Sequence, residues 1–260
     1  MPESLIWPPG AKVREKQIRG GAMLYDTSRG GNAGASWFDP VWWSNHATVT
    51  PVDEGRGSTV FIDAEGLALV LRPYRRGGLI ASIARNRYIW RGGARTRSFR
   101  EWHMLFLMRN ASLPVPVPVA ACYRRAGPFT YTAELLTERL SGVVSLAARL
   151  QKGVVPFTMW VEIGRTLKRF HAEGVFHADL NAHNILLNDG PECWLIDFDR
   201  GSLRKPGLWC DSNLVRLRRS IEKITEPLPP ERFSDADWAS LLSGYFAGVV
   251  QPVAELTATG

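Results

Sequence analysis

The run His177-Ala178-Asp179-Leu180-Asn181-Ala182-His183-Asn184, followed shortly by Ile196-Asp197-Phe198-Asp199, constrains this chain more than any other feature. Between the two lie Ile185-Leu186-Leu187, the turn-forming Asn188-Asp189-Gly190-Pro191 and Cys193-Trp194-Leu195-Ile196, the pattern of two short apolar strands around a turn. A hairpin centred near Gly190 sets Asn184, entering the first strand, opposite Asp197, leaving the second, and cross-strand neighbours have Cβ atoms roughly 4.5–5.5 Å apart. One Mg²⁺ can then touch both, because the ion takes oxygen ligands and completes its shell with phosphates and water. Asn184 follows Asp179 by five positions and Asp197 follows it by eighteen. Asp179 therefore belongs to a tight loop beside the metal, free to accept a proton from an attacking hydroxyl. Taken singly, these are an ordinary solvated Asp, a capping Asn and a turn Asp; the joint spacing carries the chemistry.

The 260 residues, 45% of them hydrophobic, suffice for one large domain or two lobes with real cores. Cys122, Cys193 and Cys210 are odd in number and widely spaced, so they form neither a disulfide framework nor a zinc pattern and fit a reduced cytosol. No signal peptide is expected from the opening residues, and the longest apolar stretch, Trp238 to Val250, falls short of the ~20 residues a spanning helix needs. A peripheral membrane role stays open.

The net charge is +7, and its placement says more than its size. From Leu67 to Arg100 there is no Asp, Glu or Lys, yet nine arginines occur, Arg75 and Arg76 among them. A solvated face would normally intersperse acids. An arginine fork suits carboxylates and phosphates and stacks on aromatics, here Tyr74, Tyr88 and Trp90, so an anionic partner is expected. Nucleic acid, anionic lipid and a multiply charged sugar all qualify.

Residues 1–45, rich in Gly and aromatics with Trp37, Trp42 and Trp43, read as an N-terminal extension, either facing substrate or covering a core. Strand-like runs come next at Ala47–Val52, Thr59–Asp63 and Leu67–Leu71, and together they imply an antiparallel sheet. Gly55 and Gly57, in Gly55-Arg56-Gly57-Ser58, let backbone N–H groups approach phosphates or simply make a hairpin turn. Phe99 to Met108 reads as a helix with Glu101 off its apolar face. Leu113 to Val119, with prolines at 114, 116 and 118, must be extended and reads as the approach to an edge strand. Tyr131 to Leu136 is another strand, and Ser141-Gly142 a boundary. Beyond it, Trp160, Ile163, Leu167 and Phe170 mark one face of a helix that stops at Gly174 and delivers the loop of Asp179. A last apolar helix is expected near Asp237 to Val250.

The pattern from His177 to Asn184, the hairpin and Asp197-Phe198 resemble the catalytic loop and metal segment of the protein-kinase-like fold. Further matches, at Gly21 to Asp26, Trp37 to Pro40, Leu71 to Leu79 and Ile196 to Gly201, make the chain similar to the lipopolysaccharide core kinases that act on 3-deoxy-D-manno-octulosonic acid (Kdo). The resemblance implies an α+β bilobal fold, with a nucleotide-binding, antiparallel-sheet lobe over 46–140 and a mainly helical lobe over 141–260. It implies ATP and Mg²⁺ as cofactors, and transfer of the γ-phosphoryl group to a hydroxyl of Kdo on a lipid A precursor, peripherally at the cytoplasmic face of the bacterial inner membrane. Neither nucleic acid nor a peptide substrate is expected.

Carried over residue by residue, Asp179 is the general base and Asn184 and Asp197 are the metal ligands. Arg72 replaces the usual lysine that holds the nucleotide phosphates, or contacts substrate instead, and Glu101 orients it or is an ordinary exposed helix residue. Gly55 and Gly57 approach the nucleotide, and Arg75 and Arg76 bind the anionic acceptor. His177 braces the loop, Asn181 stands where many protein kinases have a lysine, and Asp199 replaces a glycine. A heptose, another small hydroxylated acceptor, or a silent binding module are the competing readings; a polycationic aminoglycoside is disfavoured by the arginine run.

Overall fold

A computed structural model describes residues 5, 8, 10–28, 33–52, 59–64, 66–74 and 87–247. Gly55, Gly57, Arg75, Arg76 and the end of the expected last helix, 248–250, lie outside these residues. The chain divides into two compact units. The first is Met1–Gly142 with His177–Asp179 and Leu195–Ser202; the second is Val143–Phe176, Leu180–Trp194 and Leu203–Gly260.

The first unit is built on an antiparallel sheet with strands β1 (Val13–Ile18), β2 (Gly21–Asp26), β3 (Thr48–Pro51), β4 (Val60–Ala64), β5 (Leu67–Pro73), β6 (Tyr88–Ile89), β7 (Pro118–Arg125) and β8 (Thr130–Glu138). Their order is β1-β2-β7-β8-β5-β4-β3, with β6 pairing β8 beside β5. The 1–45 stretch thus supplies two strands, and β2 pairs directly with β7. The proline run leads into an interior strand, not an edge strand, because Pro114 and Pro116 precede the ladder and Pro118 takes its first position, beside a register shift. One face of the sheet buries Met23, Ile62, Leu69, Leu71, Val119 and Leu136, with Phe38 and Trp43 from the short helix α1 (Pro40–Ser44) and the turn before it packed into the same cluster. Helix α2 (Arg97–Asn110) lies against β7 and β8, where Phe99 meets Tyr123 edge to face at 5.2 Å and Ser98 donates to Cys122 O at 2.8 Å.

The second unit contains α3 (Leu146–Lys152), α4 (Phe157–Ala172), α5 (Trp209–Thr225) and α6 (Asp235–Phe246), with the short strands β9 (Val144–Ser145), β10 (Val175–Phe176) and β11 (Ile185–Leu187), while the unit boundaries fall at the last residue of β12 (Cys193–Leu195) and within β13 (Ser202–Leu203). In α4 the expected face, Trp160, Ile163, Leu167 and Phe170, is fully buried. Gly174 ends that helix at φ +70°, where Arg204 O would lie 2.3 Å from any added Cβ. β11 and β12 form the expected hairpin, and β9 pairs on the far side of β11.

Candidate active site

In the first unit, Arg72 near the end of β5 donates through Nη2 to Glu101 Oε1 at 2.5 Å and through Nη1 to Asp197 Oδ1 at 2.7 Å. One guanidinium therefore joins a strand, a helix and the Asp197-Phe198-Asp199 segment, using the fork that a lysine lacks. Glu101 is 2% exposed, which overturns the ordinary surface reading of that residue. Its carboxylate also accepts from the Tyr74 hydroxyl at 2.5 Å and from the Phe198 N–H at 3.2 Å. Burial pulls the Arg72 guanidinium downward, but Glu101, then Tyr74 and Asp197, more than offset it and hold it well above the usual arginine range. Burial and the neighbouring Glu101 push the Tyr74 phenol well up, which keeps it a donor.

Asp197 has φ +66°, a left-handed conformation uncommon outside glycine, and its side chain remains 41% exposed. Backbone in such a region is held by its surroundings, here by the bonds to Arg72 and through the Phe198 N–H to Glu101. His177 adds a brace on the other side. Its Nε2 donates to Ile196 O at 2.9 Å, and its Nδ1 accepts from the Asp179 N–H at 3.2 Å. That pair of bonds fixes the neutral tautomer, and burial lowers the imidazole from its ordinary value, partly offset by the Ile196 carbonyl. The expected structural role of His177 therefore has a geometry: one ring ties the residue before Asp197 to the backbone of Asp179.

Asp199 is held by Arg97 at the start of α2, through Nε at 2.5 Å and again through Nη2, a two-pronged pairing. The Arg97 guanidinium also lies 4.6 Å from the Tyr88 ring, and its backbone N–H donates to the Tyr131 hydroxyl at 3.0 Å. The sequence assigns no role to Tyr74 or Arg97. It marks Tyr74 only as an aromatic beside arginines, and nothing local marks Arg97 as the partner of a residue 102 positions away.

In the second unit, Asn184 precedes β11 and is 8% exposed. Its N–H donates to Asn181 O at 3.1 Å and to Asn181 Oδ1 at 3.3 Å, while the His183 N–H donates to the same Oδ1 at 2.9 Å. Asn181, in the place of a lysine, is thus a turn-former for the loop that carries Asn184. The Ala182 N–H reaches Ser220 Oγ on α5 at 3.2 Å, a support that the sequence did not reveal. The structure thus brings Arg72, Glu101 and Asp197 together, links Asp179 to them through His177, and holds Asn184 in the second unit.

Residues 41–245 match the family model described as lipopolysaccharide kinase (Kdo/WaaP). This chain belongs to that family. It is 51% identical over 208 residues to a 3-deoxy-D-manno-octulosonic acid kinase of Xylella fastidiosa (strain M12), covering 79% of this chain and 82% of that one. A 3-deoxy-D-manno-octulosonic acid kinase of Xanthomonas campestris pv. campestris (strain B100) is 48% identical over 209 residues, covering 78% and 81%. Among solved structures, one of WaaP in complex with acyl carrier protein aligns at a TM-score of 0.49 and 21% identity, over 78% of this chain and 79% of that one. As a member of the Kdo/WaaP kinases, the chain is a phosphotransferase of α+β, protein-kinase-like fold that uses ATP. Its glycine-to-Asp199 departure is accompanied by a dedicated partner, Arg97.

Proposed function

We propose that this protein transfers the γ-phosphoryl group of ATP to a hydroxyl of Kdo on a lipid A precursor, in assembly of the lipopolysaccharide inner core. The observation that carries the site is the doubly bonded Arg72, which couples Glu101 to Asp197 while staying 29% exposed and so able to meet phosphate oxygens. Near-50% identity to Kdo kinases over four-fifths of the chain supports the acceptor.

In this reading Asp179 accepts the proton of the attacking hydroxyl as its oxygen bonds to the γ-phosphorus, and the bond from that phosphorus to the bridging oxygen breaks to release ADP. Arg72 holds the phosphates from the sheet side, and Glu101 fixes its direction. This reading also assigns Gly55 and Gly57 to the nucleotide, and Arg75 and Arg76 to the acceptor's carboxylate and phosphates. Among the described residues no group of three or more His, Cys, Asp or Glu gathers to cage an ion. The donor set of Asp197 and Asn184, one carboxylate and one amide, fits Mg²⁺, which relies on substrate phosphates and water for the rest of its shell. Bound there, the ion would neutralise charge on the phosphates. The residue ranges 46–140 and 141–260 serve as nucleotide lobe and helical lobe. Among the described residues no helix is long and apolar enough to cross a membrane, and the basic surface supports a peripheral seat on the anionic cytoplasmic face of the inner membrane.

Purified protein with ATP and Mg²⁺ is offered a mono-Kdo lipid A precursor, a heptosylated core and an aminoglycoside. Transfer to the Kdo acceptor alone is expected. Transfer only to heptose would move the acceptor, and transfer to none would leave a silent module. Asp179→Ala should lower turnover by roughly 10² to 10⁴, whereas near-normal turnover would remove Asp179 as the base.

A further inference from the structure

One end of the first unit's sheet brings apolar and cationic side chains together. The turn between β7 and β8 exposes Phe129 to 77%, and β6 beside it exposes Ile89 to 62%. The Trp90 N–H donates to Phe129 O at 2.9 Å, so turn and strand form one tip. Arg125 braces it, donating to Gly127 O at 3.3 Å and to Pro128 O, with its guanidinium 4.4 Å from the Trp90 ring. Exposed Arg87 and Arg91 flank β6. Exposed Arg19 sits in the β1–β2 turn, whose Gly20 O accepts the Arg125 N–H at 2.7 Å. The ranges 18–21, 87–92 and 124–130 contain no Asp or Glu. The nearby Arg124 is already paired, with Glu134 at 2.8 Å.

A lone exposed apolar residue needs no explanation. This one is held out by a braced Gly127-Pro128 turn and collared by Arg19, Arg87, Arg91 and Arg125 without an acid among them. That is the chemistry of an anionic lipid interface: the ring enters the acyl boundary while guanidinium groups stay among phosphates. The tip is also continuous with the site. Tyr88, next to Ile89, lies under the Arg97 guanidinium at 4.6 Å, Tyr131 accepts the Arg97 N–H, and Arg97 grips Asp199.

We propose that this tip docks the protein on a bilayer rich in anionic phospholipid, the surface that presents its acceptor. The proposal rests on the reading that the acceptor is membrane-borne. A docked tip places the Arg97–Asp199 side of the sheet toward the headgroups.

The test floats the full chain with phosphatidylglycerol-containing vesicles, and with phosphatidylcholine vesicles as the neutral arm, while transfer to a detergent-dispersed acceptor is measured separately. Phe129→Ser should lower partitioning into anionic vesicles about tenfold or more, the equivalent of one lost aromatic burial. Arg87→Gln with Arg91→Gln should lower it about fivefold per arginine, an effect that fades at high salt. Phe157→Ser, on a residue 64% exposed in the second unit, should leave it unchanged. All variants should melt and turn over detergent-dispersed acceptor as the parent does. Wild-type protein that ignores anionic vesicles, binds neutral ones equally, or keeps its partitioning in the tip variants overturns the proposal. So does a tip needed for capture of an acidic carrier protein but not of vesicles. Tip-dependent flotation without any transfer would sink the proposed reaction and leave the docking surface; transfer with tip-independent flotation would do the reverse.

Discussion

The first unit buries Glu101 inside an ion pair with Arg72, whereas the second buries His171 at 3% exposure against the Tyr245 hydroxyl, 2.7 Å away, and keeps it neutral. Stripping water from two charges costs several kcal/mol, and well-packed apolar side chains often stabilise as much as a buried ion pair. The second unit takes the apolar route. Helices α4 and α6 approach so closely that a Cβ on Gly164 would lie 1.9 Å from Leu241 O, and one on Gly244 would lie 2.0 Å from Val161 O. A charged cluster kept in the first unit, beside a fold that can be held without one, points to chemistry as its reason. The cluster's buried member faces inward, while its other two members, Arg72 and Asp197, stay 29% and 41% exposed.

Removing the buried member should give the largest effect. Glu101→Ala strips the acceptor from Arg72, the Tyr74 hydroxyl and the Phe198 N–H at once, and losing one partner of a buried pair costs about 3–5 kcal/mol. Turnover should fall by at least about 10², the usual loss when a fixed charge at a phosphoryl site is displaced. Glu101→Gln, which keeps one acceptor oxygen and the shape, should melt closer to the parent yet remain impaired in turnover. If Glu101→Ala melts and turns over normally, the cluster is neither structural nor chemical, and the contrast between the units dissolves.

How much of this is visible in the sequence depends on how local each signal is. The face of α4 and the β11–β12 hairpin are readable because both repeat over a few neighbouring residues. β1 and β2 are not, for opposite reasons. β1 is exposed along its middle residues, Arg14 to Gln17, and β2 is buried across Ala22 to Tyr25, so neither alternates polar with apolar. The proline run suggests an edge strand, but the residues after it, Val119 to Tyr123, are buried on both faces, the mark of an interior strand. Within the site, residue types at fixed spacing point to Asp179, Asn184 and Asp197 as a set. The Arg72–Glu101 pair is expected from the family resemblance and is found, whereas the Tyr74–Glu101, Arg72–Asp197 and Arg97–Asp199 contacts join residues so distant in sequence that they leave no local trace.

A smaller effect should come from the helix contact of the second unit, and it should fall on stability alone. Gly164→Ala places a methyl group against backbone, which cannot rotate aside, so α4 and α6 must separate; overpacking of this kind costs about 1–3 kcal/mol. Chemical denaturation should show that loss, while turnover of the remaining folded protein at a permissive temperature stays at the parent value. A matching fall in turnover per folded molecule would mean that the second unit's packing also tunes the chemistry.

The effect that is smallest near neutral pH, where it vanishes, is a pH dependence that belongs to His171. Burial lowers this imidazole to about 4, with Lys168 adding to the fall and Asn213 and Asp211 opposing it. The unfolded chain takes up the proton near the ordinary value of 6.5. Above 6.5 neither state is protonated there and the full stability is present. As pH falls from 6.5 toward 4, the unfolded chain gains a proton that the folded chain refuses, so stability drops, by up to roughly 3–4 kcal/mol at 1.36 kcal/mol per pH unit. His171→Gln removes the titrating group and should flatten this part of the melting profile. The slope that remains belongs to other groups, including His177, which burial shifts in the same direction. A variant as steep as the parent between about pH 6.5 and 4 would show that the proton goes elsewhere, and the second unit would lose its claim to a histidine held neutral by packing.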